Sequence, residues 1–431
     1  MNGLAKKLTD KTASVSVIGL GYIGLPLSIS FAKAGFNVFG IDIDNSKIQS
    51  LHEQNSYISD VSDKELKNTI KNYKITFTST YSPIIKSDVV IICVPTPLNK
   101  TKDPDISYIV KVSEEISKFD INKKLICLES TVYPGATEEV ILPILTNNNN
   151  LKIGDDFNLL FSPERMDPGQ SNWNLSNTPK VIGGITSNCT ELGRILYNSV
   201  SENIIKVSST KAAEMTKLLE NTFRAANIGL INEMALICKK LNLDIWEIIE
   251  AAKTKPYGYM PFYPGPGLGG HCIPVDPRYL EWKLEMLNTE SKFIKLSEDI
   301  NFGMPDYVVQ SAEEIIKKHN LSNKINIIGV TYKPNVSDIR ESPAIDIMQI
   351  LSEKNIKFAF NDPYINKVEI ENLTIRSESI ESFFNNKELS IIITDHANYD
   401  WNYISDNLEV IYDTRNALRN IKNTKINIYK L

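Results

Sequence analysis

Apolar residues fall along this chain in short runs, separated by stretches with helical periodicity. The first run, Val15-Ser16-Val17-Ile18, ends in Gly19-Leu20-Gly21-Tyr22-Ile23-Gly24. Leu27, Phe31 and Ala34 then recur at helical spacing until Gly35, and a second run, Val38-Phe39-Gly40-Ile41, ends at Asp42. Strand, tight turn, helix and strand within about 30 residues is the unit from which parallel sheets are built. Further runs at Asp88–Val94, Leu125–Leu128 and Asn158–Phe161 are almost continuously apolar. That composition requires a sheet covered on both faces. A first doubly wound domain is expected over residues 10–205.

From Thr210 to Leu241 the pattern is helical and free of proline, longer than the usual globular helix. It predicts a central helix with an apolar face suited to dimerisation. A glycine- and proline-rich loop follows from Pro256 to Pro277, then more helix to about Met304, within a central region of residues 206–310. From Ile325 the opening pattern returns. Ile327-Ile328-Gly329 parallels Val17-Ile18-Gly19, Lys357–Asp362 parallels Val38–Asp42, and Leu389–Thr394 parallels Asp88–Val94. The glycine triplet is replaced by Gly-Val-Thr-Tyr-Lys-Pro, so residues 311–431 are expected to form a second Rossmann-like domain that no longer grips a dinucleotide in the same way. The fold class predicted is α/β, with two Rossmann-like doubly wound parallel-sheet domains joined by a long central helix. Asn147–Asn150 is expected to be a surface loop.

Composition narrows the function. With 431 residues, 42% hydrophobic and 23% charged, the chain is globular and long enough for two or three domains. A net charge of −5 without a dense basic run argues against nucleic acid or an anionic membrane surface as partner. No apolar run approaches the roughly 20 residues of a membrane span, and the N-terminus lacks a signal peptide's apolar core. A cytoplasmic protein is expected. The five cysteines are widely spaced with no CxxC pair, and the four histidines are scattered, so neither a disulfide framework nor a metal centre is expected.

The glycines carry the first candidate chemistry. Gly19 permits a tight turn, Gly21 allows backbone to approach a pyrophosphate, and Gly24 allows helix and strand to pack closely. Asp42, 18 residues beyond Gly24, would accept hydrogen bonds from the adenosine ribose and repel a 2′-phosphate, which favours NAD over NADP. The alternative is a structural turn with a solvated aspartate. Lys47 would sit beside the ribose or be simply solvated.

The second candidate is Gly265-Pro266-Gly267-Leu268-Gly269-Gly270-His271-Cys272-Ile273-Pro274-Val275-Asp276. Adjacent glycines leave room for a ligand beside the Cys272 sulfur, and nearby positive charge would favour a nucleophilic thiolate. Asp276 would orient a water or the thiol. A buried cysteine in a rigid turn is the competing reading. His271, next to Cys272 in sequence, is given no catalytic role, because neighbouring side chains rarely face one another. Lys217 and Asn221 lie four apart, on one helix face, where they would hold an oxyanion or a sugar hydroxyl; a solvated lysine is the alternative. Glu164, Thr131 and Thr96 follow strand ends, where ligands bind in open α/β sheets, although such hydroxyls can merely cap helices.

The segments IGLGYIGLPLS, CVPTPL, ESTVYPG, SPERMDPG, EMTKLLENTFRAANIGLINE, GPGLGGHCIPVDP and TYKPNVSDIRESPA resemble the nucleotide-sugar 6-dehydrogenases of the UDP-glucose/GDP-mannose dehydrogenase family. They cover nearly the whole chain in order. The resemblance implies two Rossmann-like domains, a homodimer through the central helix, and oxidation of a sugar C6 alcohol to a carboxylate with two NAD and no metal. It implies that Cys272 captures the C6 aldehyde as a thiohemiacetal that becomes a thioester. Lys217 and Asn221 match oxyanion and sugar contacts. Glu164 and Asp276 match acid–base groups around the hydrolytic water, and Thr131 matches the residue that positions it. Cofactor contacts are implied for Gly19, Gly21, Tyr22, Ile23, Gly24, Asp42, Lys47, Thr96, Thr131 and Arg340. Substrate contacts are implied for Glu164, Arg165, Met166, Lys217, Asn221, Tyr263, Gly267 and Lys333.

Within the family, PERMDPG differs from the acid-rich segment of the UDP-glucose branch. The loop KPYGYMPFYPGPGLGGHCIPVDP lacks the arginine of the glucose and mannosamine branches and is most similar to that of bacterial UDP-N-acetyl-D-glucosamine 6-dehydrogenases, which supply uronic acids for surface polysaccharide. A UDP-N-acetylhexosamine is therefore the expected substrate, with UDP-N-acetyl-D-mannosamine and then UDP-glucose as alternatives. Within enzymes, a two-electron alcohol dehydrogenase is the rival. A non-catalytic NAD-binding regulator is the rival from another class.

Overall fold

The computed structural model describes all residues except 1–2, 59, 100, 148–150, 167–172, 271, 372, 385–386 and 422–425. It divides into two compact units, Met1–Glu220 with Arg278–Asn288, and Asn221–Pro277 with Thr289–Leu431. The expected loop residues Asn148–Asn150, and His271, lie outside the described residues.

The first unit is built on eight strands: β1 (Ser14–Ile18), β2 (Asn37–Ile41), β3 (Ile75–Thr78), β4 (Val89–Ile92), β5 (Leu125–Leu128), β6 (Asn158–Phe161), β7 (Lys180–Gly184) and β8 (Ile204–Lys206). Their order is β3-β2-β1-β4-β5-β6-β7-β8. Every pairing is parallel except β6 with β7. All residues of β4, β5 and β6 are buried, as their unbroken apolar runs require of a sheet with both faces covered. One face packs Val15, Val17, Phe31, Phe36, Val89 and Ile91. The other packs Leu20, Leu25, Ile29 and Leu51. Strand order reverses between β2-β1 and β4, and Gly19 leaves the sheet at that switch point, where open α/β sheets bind ligands.

The second unit repeats the plan with β9 (Lys324–Ile328), β10 (Lys357–Asn361), a hairpin of β11 (Lys367–Ile370) and β12 (Leu373–Arg376), β13 (Leu389–Ile392), β14 (Val410–Asp413) and β15 (Asn427–Lys430). The five-stranded sheet runs β10-β9-β13-β14-β15, all parallel. The two-domain α/β fold expected from the hydrophobic pattern is therefore present.

The long helix spans Thr210–Lys240, 31 residues. The division between units falls within it, after Glu220. A second long helix, Lys292–His319, departs from the expected end near Met304: it continues through Pro305. Proline lacks the N–H for the preceding turn and crowds the carbonyl four residues back. Here Met304, Pro305, Val308, Val309 and Ala312 are all buried, and that apolar contact offsets the missing hydrogen bond. Among the described residues, no helix is long and apolar enough to cross a membrane.

Candidate active site

In the first unit, β1 delivers the glycine turn to the switch point. Gly19 adopts φ 91°, and the helix Gly24–Lys33 starts immediately after the turn. A Cβ on Gly24 would stand 1.8 Å from the Gly19 carbonyl oxygen, so helix and turn can meet only at glycine. A Cβ on Gly21 would meet nothing within 4 Å. Gly21 therefore borders open space, as backbone approached by a pyrophosphate must. Tyr22 and Ile23 complete the turn and pack, partly buried, against the cores on the two faces.

Asp42, directly after β2, is buried. Its Oδ2 accepts the Leu20 N–H at 2.9 Å and faces Lys47 Nζ at 3.2 Å, while Oδ1 accepts the Asp44 N–H at 3.0 Å. The carboxylate is thus fixed beside the turn with Lys47 alongside. Tyr57 donates to the Leu20 carbonyl at 2.8 Å, and burial together with Asp42 and Asp44 pushes its phenol well above its ordinary range. Open backbone at Gly21, a helix start behind it and an anchored acid at the second strand end fit a dinucleotide.

Further along the same sheet, the Thr96 carbonyl accepts the Tyr279 hydroxyl at 3.1 Å. Thr131, beyond β5, accepts a short hydrogen bond from Lys217 Nζ, and Lys217 is buried. The structure thus brings Lys217 and Thr131 together. Glu164, beyond β6, is also buried; its Oε1 accepts the N–H groups of Arg165 (2.8 Å) and Met166 (2.6 Å). Arg165 clasps Glu220 on the long helix through Nε (3.1 Å) and Nη2 (2.7 Å), and donates to the Pro179 carbonyl at 2.6 Å. That fork fixes the Glu164 turn against the helix that carries Lys217. Met166 packs partly buried on the domain core. Asp167 and the residues after it, to 172, lie outside the described residues.

In the second unit, Asn221 Nδ2 donates to Asp276 Oδ2 at 2.6 Å, so the structure also brings this pair together. Asp276 is buried and opens the helix Asp276–Met286. Its N–H donates to the Cys272 carbonyl at 2.8 Å, and Val275 N–H to the same oxygen at 3.1 Å. Cys272 therefore heads the turn that places Asp276. All five cysteines are thiols, and Cys272 is the one that is not buried. Burial pushes the Cys93 and Cys127 thiols well up, which leaves them unreactive.

The loop before Cys272 lies against residues 332–343. Gly270 has φ 87°, and a Cβ there would come within 2.8 Å of the Tyr332 ring. Its N–H donates to the Arg340 carbonyl at 3.1 Å. Gly267 lies against Pro343, and Gly265 against the Arg415 guanidinium. Tyr263 donates to Glu250 at 2.6 Å and stacks on Trp246 at 5.9 Å between centroids. Lys333 Nζ lies 5.5 Å from the Tyr332 ring centroid. The exposed Arg340 folds onto Asp338, with Nη2 to Oδ2 at 2.6 Å.

Several structured residues escaped the motif reading: Glu129, Lys180, Glu220, His396 and Arg415. Each is a charged or titratable side chain whose partner is remote in sequence, so no local pattern marks it. Among the described residues, no group of three or more His, Cys, Asp or Glu could hold a metal ion.

Comparison with known proteins matches the whole frame. Residues 13–201 match the NAD binding domain of the UDP-glucose/GDP-mannose dehydrogenase family, residues 211–302 its central domain, and residues 326–420 its UDP binding domain. The chain is 37% identical over 359 residues to the UDP-N-acetyl-D-glucosamine 6-dehydrogenase of Pseudomonas aeruginosa, covering 82% of this chain and 84% of that one. The solved structure of the UDP-D-ManNAc dehydrogenase from Pyrococcus horikoshii superposes with a TM-score of 0.88 at 31% identity, covering 97% of this chain and 98% of that one. The UDP-N-acetyl-mannosamine dehydrogenase Cap5O from Staphylococcus aureus gives a TM-score of 0.82 at 34% identity, with the same coverage. With a glycine cradle that fits NAD and matches running from residue 13 to residue 420, this chain belongs to the UDP-glucose/GDP-mannose dehydrogenase family, as an NAD-dependent UDP-sugar dehydrogenase.

Proposed function

We propose that this enzyme oxidises the C6 alcohol of a UDP-N-acetylhexosamine, UDP-N-acetyl-D-glucosamine in the first instance, to the uronic acid in a four-electron reaction serving surface polysaccharide synthesis. Two NAD molecules, bound in succession, accept the two hydrides. Residues 10–205 hold NAD, residues 206–310 provide the central helical region with the cysteine loop, and residues 311–431 bind the UDP-sugar. Tyr22, Ile23, Lys47, Thr96 and Arg340 are assigned cofactor contacts. Arg165, Met166, Tyr263, Gly267 and Lys333 are assigned substrate contacts.

The chemistry runs through the chain's own side chains. Loss of hydride from C6 and of the hydroxyl proton gives an aldehyde. The Cys272 thiolate adds to that carbonyl carbon, and Lys217 and Asn221 hold the oxyanion of the thiohemiacetal. Loss of the second hydride leaves a thioester. A water, oriented by Thr131 and relieved of its proton by Glu164 or Asp276, attacks the thioester, expels the Cys272 thiolate and yields the carboxylate. Covalent capture keeps the aldehyde from escaping between the two oxidations.

The observation that carries this reading is the placement of Cys272. It is the one cysteine that is not buried, it heads the turn that sets Asp276, and it stands two residues beyond Gly270, which has no room for a side chain. UDP-N-acetyl-D-mannosamine is the second reading, because relatives named for it match this chain over 97% of its length. It differs from the first only in configuration at C2. A cytoplasmic homodimer formed through the long helix is part of the proposal, supported by the exposed Phe223, Leu230 and Ile237, which recur every seven residues along it.

A panel of UDP-sugars scored for NADH formed per sugar tests the assignment. Two NADH and an acid product from UDP-N-acetyl-D-glucosamine are expected. One NADH with an accumulating aldehyde or ketone would reject the four-electron reaction. Two NADH from the mannosamine epimer alone would move the substrate to the second reading. NAD binding without turnover of any UDP-sugar would reject the enzyme assignment at this site.

A further inference from the structure

Glu164 joins a buried charge cluster whose other members the reaction scheme does not use. Its Oε2 lies 3.5 Å from Lys180 Nζ. Lys180, only 4% exposed, donates to Glu129 Oε2 at 2.7 Å, and Glu129 Oε1 accepts the Tyr197 hydroxyl at 2.5 Å. Glu129 and Tyr197 are completely buried.

Topology explains how a lysine reaches this place. In a parallel sheet the C-terminal strand ends gather along one edge, and Glu129 and Glu164 sit there, just beyond β5 and β6. The strand β7 runs antiparallel to β6, with Leu160 opposite Gly184 and Phe161 opposite Gly183. Its first residue therefore lies along that same edge, and the register carried past the end of β6 sets Glu164 opposite Lys180. Beyond β6 the sheet reverses, and β7, with β8 parallel to it, thus brings its first residue, a cation, to an edge where β1–β6 bring their last.

The charges do not cancel, since one ammonium faces two carboxylates. Burial acts to strip the proton from Lys180, but Glu129 and Glu164 outweigh it and keep the lysine charged. Burial pushes the Glu129 carboxyl up, opposed by Lys180. Among the described residues, Tyr197 and the thiols of Cys93 and Cys127 also neighbour this cluster, all raised by burial and neutral, and next to Glu164 in sequence the Arg165 guanidinium is paired with Glu220. Glu164 thus faces one fixed positive charge and, behind it, one competing carboxylate.

We propose that Lys180 is a positioning residue for the reaction: a permanent cation that aims the second Glu164 oxygen and holds a positive charge against it, with Glu129 and Tyr197 anchoring the lysine from behind. This rests on Glu164 acting as an acid–base group in thioester hydrolysis. With Oε1 held by two backbone N–H groups, Lys180 governs the oxygen left for proton transfer.

The test is the pH dependence of kcat on the intact enzyme, with the UDP-sugar turned over fastest. Lys180→Met removes a neighbouring positive charge and should move the acid limb up by about one pH unit, with KM for NAD and UDP-sugar within about twofold of the parent. Glu129→Gln keeps the shape, with its amide oxygen toward Lys180 and its NH2 donating to the Tyr197 oxygen, but removes the competing negative charge, and should move the limb down. Lys180→Arg should restore most of the parent profile. Loss of packing alone would not displace the two limbs in opposite directions. Displacement in the same direction, or none in either folded variant, overturns the proposal. If Lys180→Met does not fold, the absence of a downward shift in Glu129→Gln overturns it. Glu164→Gln separates the two levels: unchanged acid output from that variant removes the role of Glu164 itself. Loss of acid output there, with unmoved limbs in the Lys180 and Glu129 variants, removes only the role of the lysine.

Discussion

His396 Nε2 lies 3.0 Å from Asp362 Oδ2 with both side chains fully buried, and this pair occupies the position at which the first domain presents Asp42. Asp362 follows β10 as Asp42 follows β2, and each accepts a backbone N–H just past the glycine of the first strand: Val330 at 2.7 Å, Leu20 at 2.9 Å. Gly329 and Gly19 both take positive φ, 80° and 91°. The same turn is therefore built twice. In the second domain the acid spends its remaining valence on an internal histidine. In the first it faces Lys47 at the protein surface. That difference gives a physical reason why the repeat need not hold a second dinucleotide.

Asp42→Ala should weaken NAD binding about tenfold, equivalent to ~1.4 kcal/mol, because the ribose loses a charged acceptor. Part of the loss would come through the turn itself, since Leu20 N–H loses its partner. Titration of the variant with NAD by calorimetry checks this. Unchanged affinity would remove Asp42 from the cofactor contacts.

His396 also holds the segment that carries Lys333 and Arg340. Its Nδ1 accepts the Asn335 N–H at 3.0 Å, which leaves Nε2 to donate to Asp362 and toward the Thr331 hydroxyl at 3.1 Å. Replacing it with leucine should cost ~2 kcal/mol of stability, since Asn335 N–H and Asp362 both lose a partner. It should raise KM for the UDP-sugar, through Lys333, and KM for NAD, through Arg340. Burial acts to raise the Asp362 carboxyl, but hydrogen bonds from His396, Val330 and Tyr364 outweigh it and hold it below its ordinary value of 3.8. A depressed carboxylate contributes stability above its unfolded value, and that contribution is lost as pH falls through the lower folded value. Urea unfolding between pH 7 and pH 3 should therefore show a smaller acid loss in His396→Leu than in the parent. Equal losses would assign the acid sensitivity elsewhere.

Gly21 and Gly24 should separate cofactor binding from folding. Gly24→Ala places a methyl group 1.8 Å from the Gly19 carbonyl oxygen, so the helix must leave the turn and the domain should lose several kcal/mol, about the range of severe core changes. Gly21→Ala meets no protein atom within 4 Å, so its melting temperature should stay within about 2 °C while NAD affinity falls at least tenfold. Thermal melts with and without NAD distinguish the two. A stable Gly21→Ala enzyme that binds NAD normally would show that the pyrophosphate does not approach that backbone.

How much of this was legible in the chain follows from where the information sits. Strands such as β4 and β5 are visible because burial on both faces demands unbroken apolar runs. The glycine turn is visible because its constraint lies within six residues. The helix through Pro305 was not, because local chemistry argues for an end there and only buried contacts carry the helix onward. The reversed strand β7 was equally hidden. Lys180 at its head looks like a solvated lysine until its pairing with β6 sets it opposite Glu164. Arg165 is legible as a charge, but its clasp on Glu220, 55 residues away, is not. Long-range polar pairs escape a reading of periods and spacings, and the Glu164 environment is made of them.

Cys272→Ala should abolish acid formation and leave NAD affinity within about twofold, because the thiol belongs to the second unit while the NAD cradle lies in the first. Cys272→Ser keeps the size of the side chain but offers a poorer nucleophile and should also fail. Incubation with iodoacetamide, followed by peptide mass mapping, should label Cys272 before Cys93 and Cys127, whose thiols are buried. Substrate added beforehand should protect it. Acid output unchanged in Cys272→Ala would remove the covalent step from the reaction.

The exposed stripe of the long helix should set the oligomeric state. Phe223, Leu230 and Ile237 are 47%, 50% and 41% exposed, although residues of their size are usually covered. Spaced seven apart on a helix, they lie nearly in line, the pattern of a seam against another helix. Polar residues between them, such as Asn227, keep the stripe narrow. Leu230→Glu places a charge in the middle of such a seam. A charge there must either be desolvated or hold the partner away, so a dimer should fall to a monomer in light scattering. The effect should weaken at lower pH as the new carboxyl protonates. Secondary structure by circular dichroism should be unchanged, because the position is open to solvent in the single chain. A parent enzyme that is already monomeric, or a Leu230→Glu enzyme that remains a dimer, would move the association surface away from this helix.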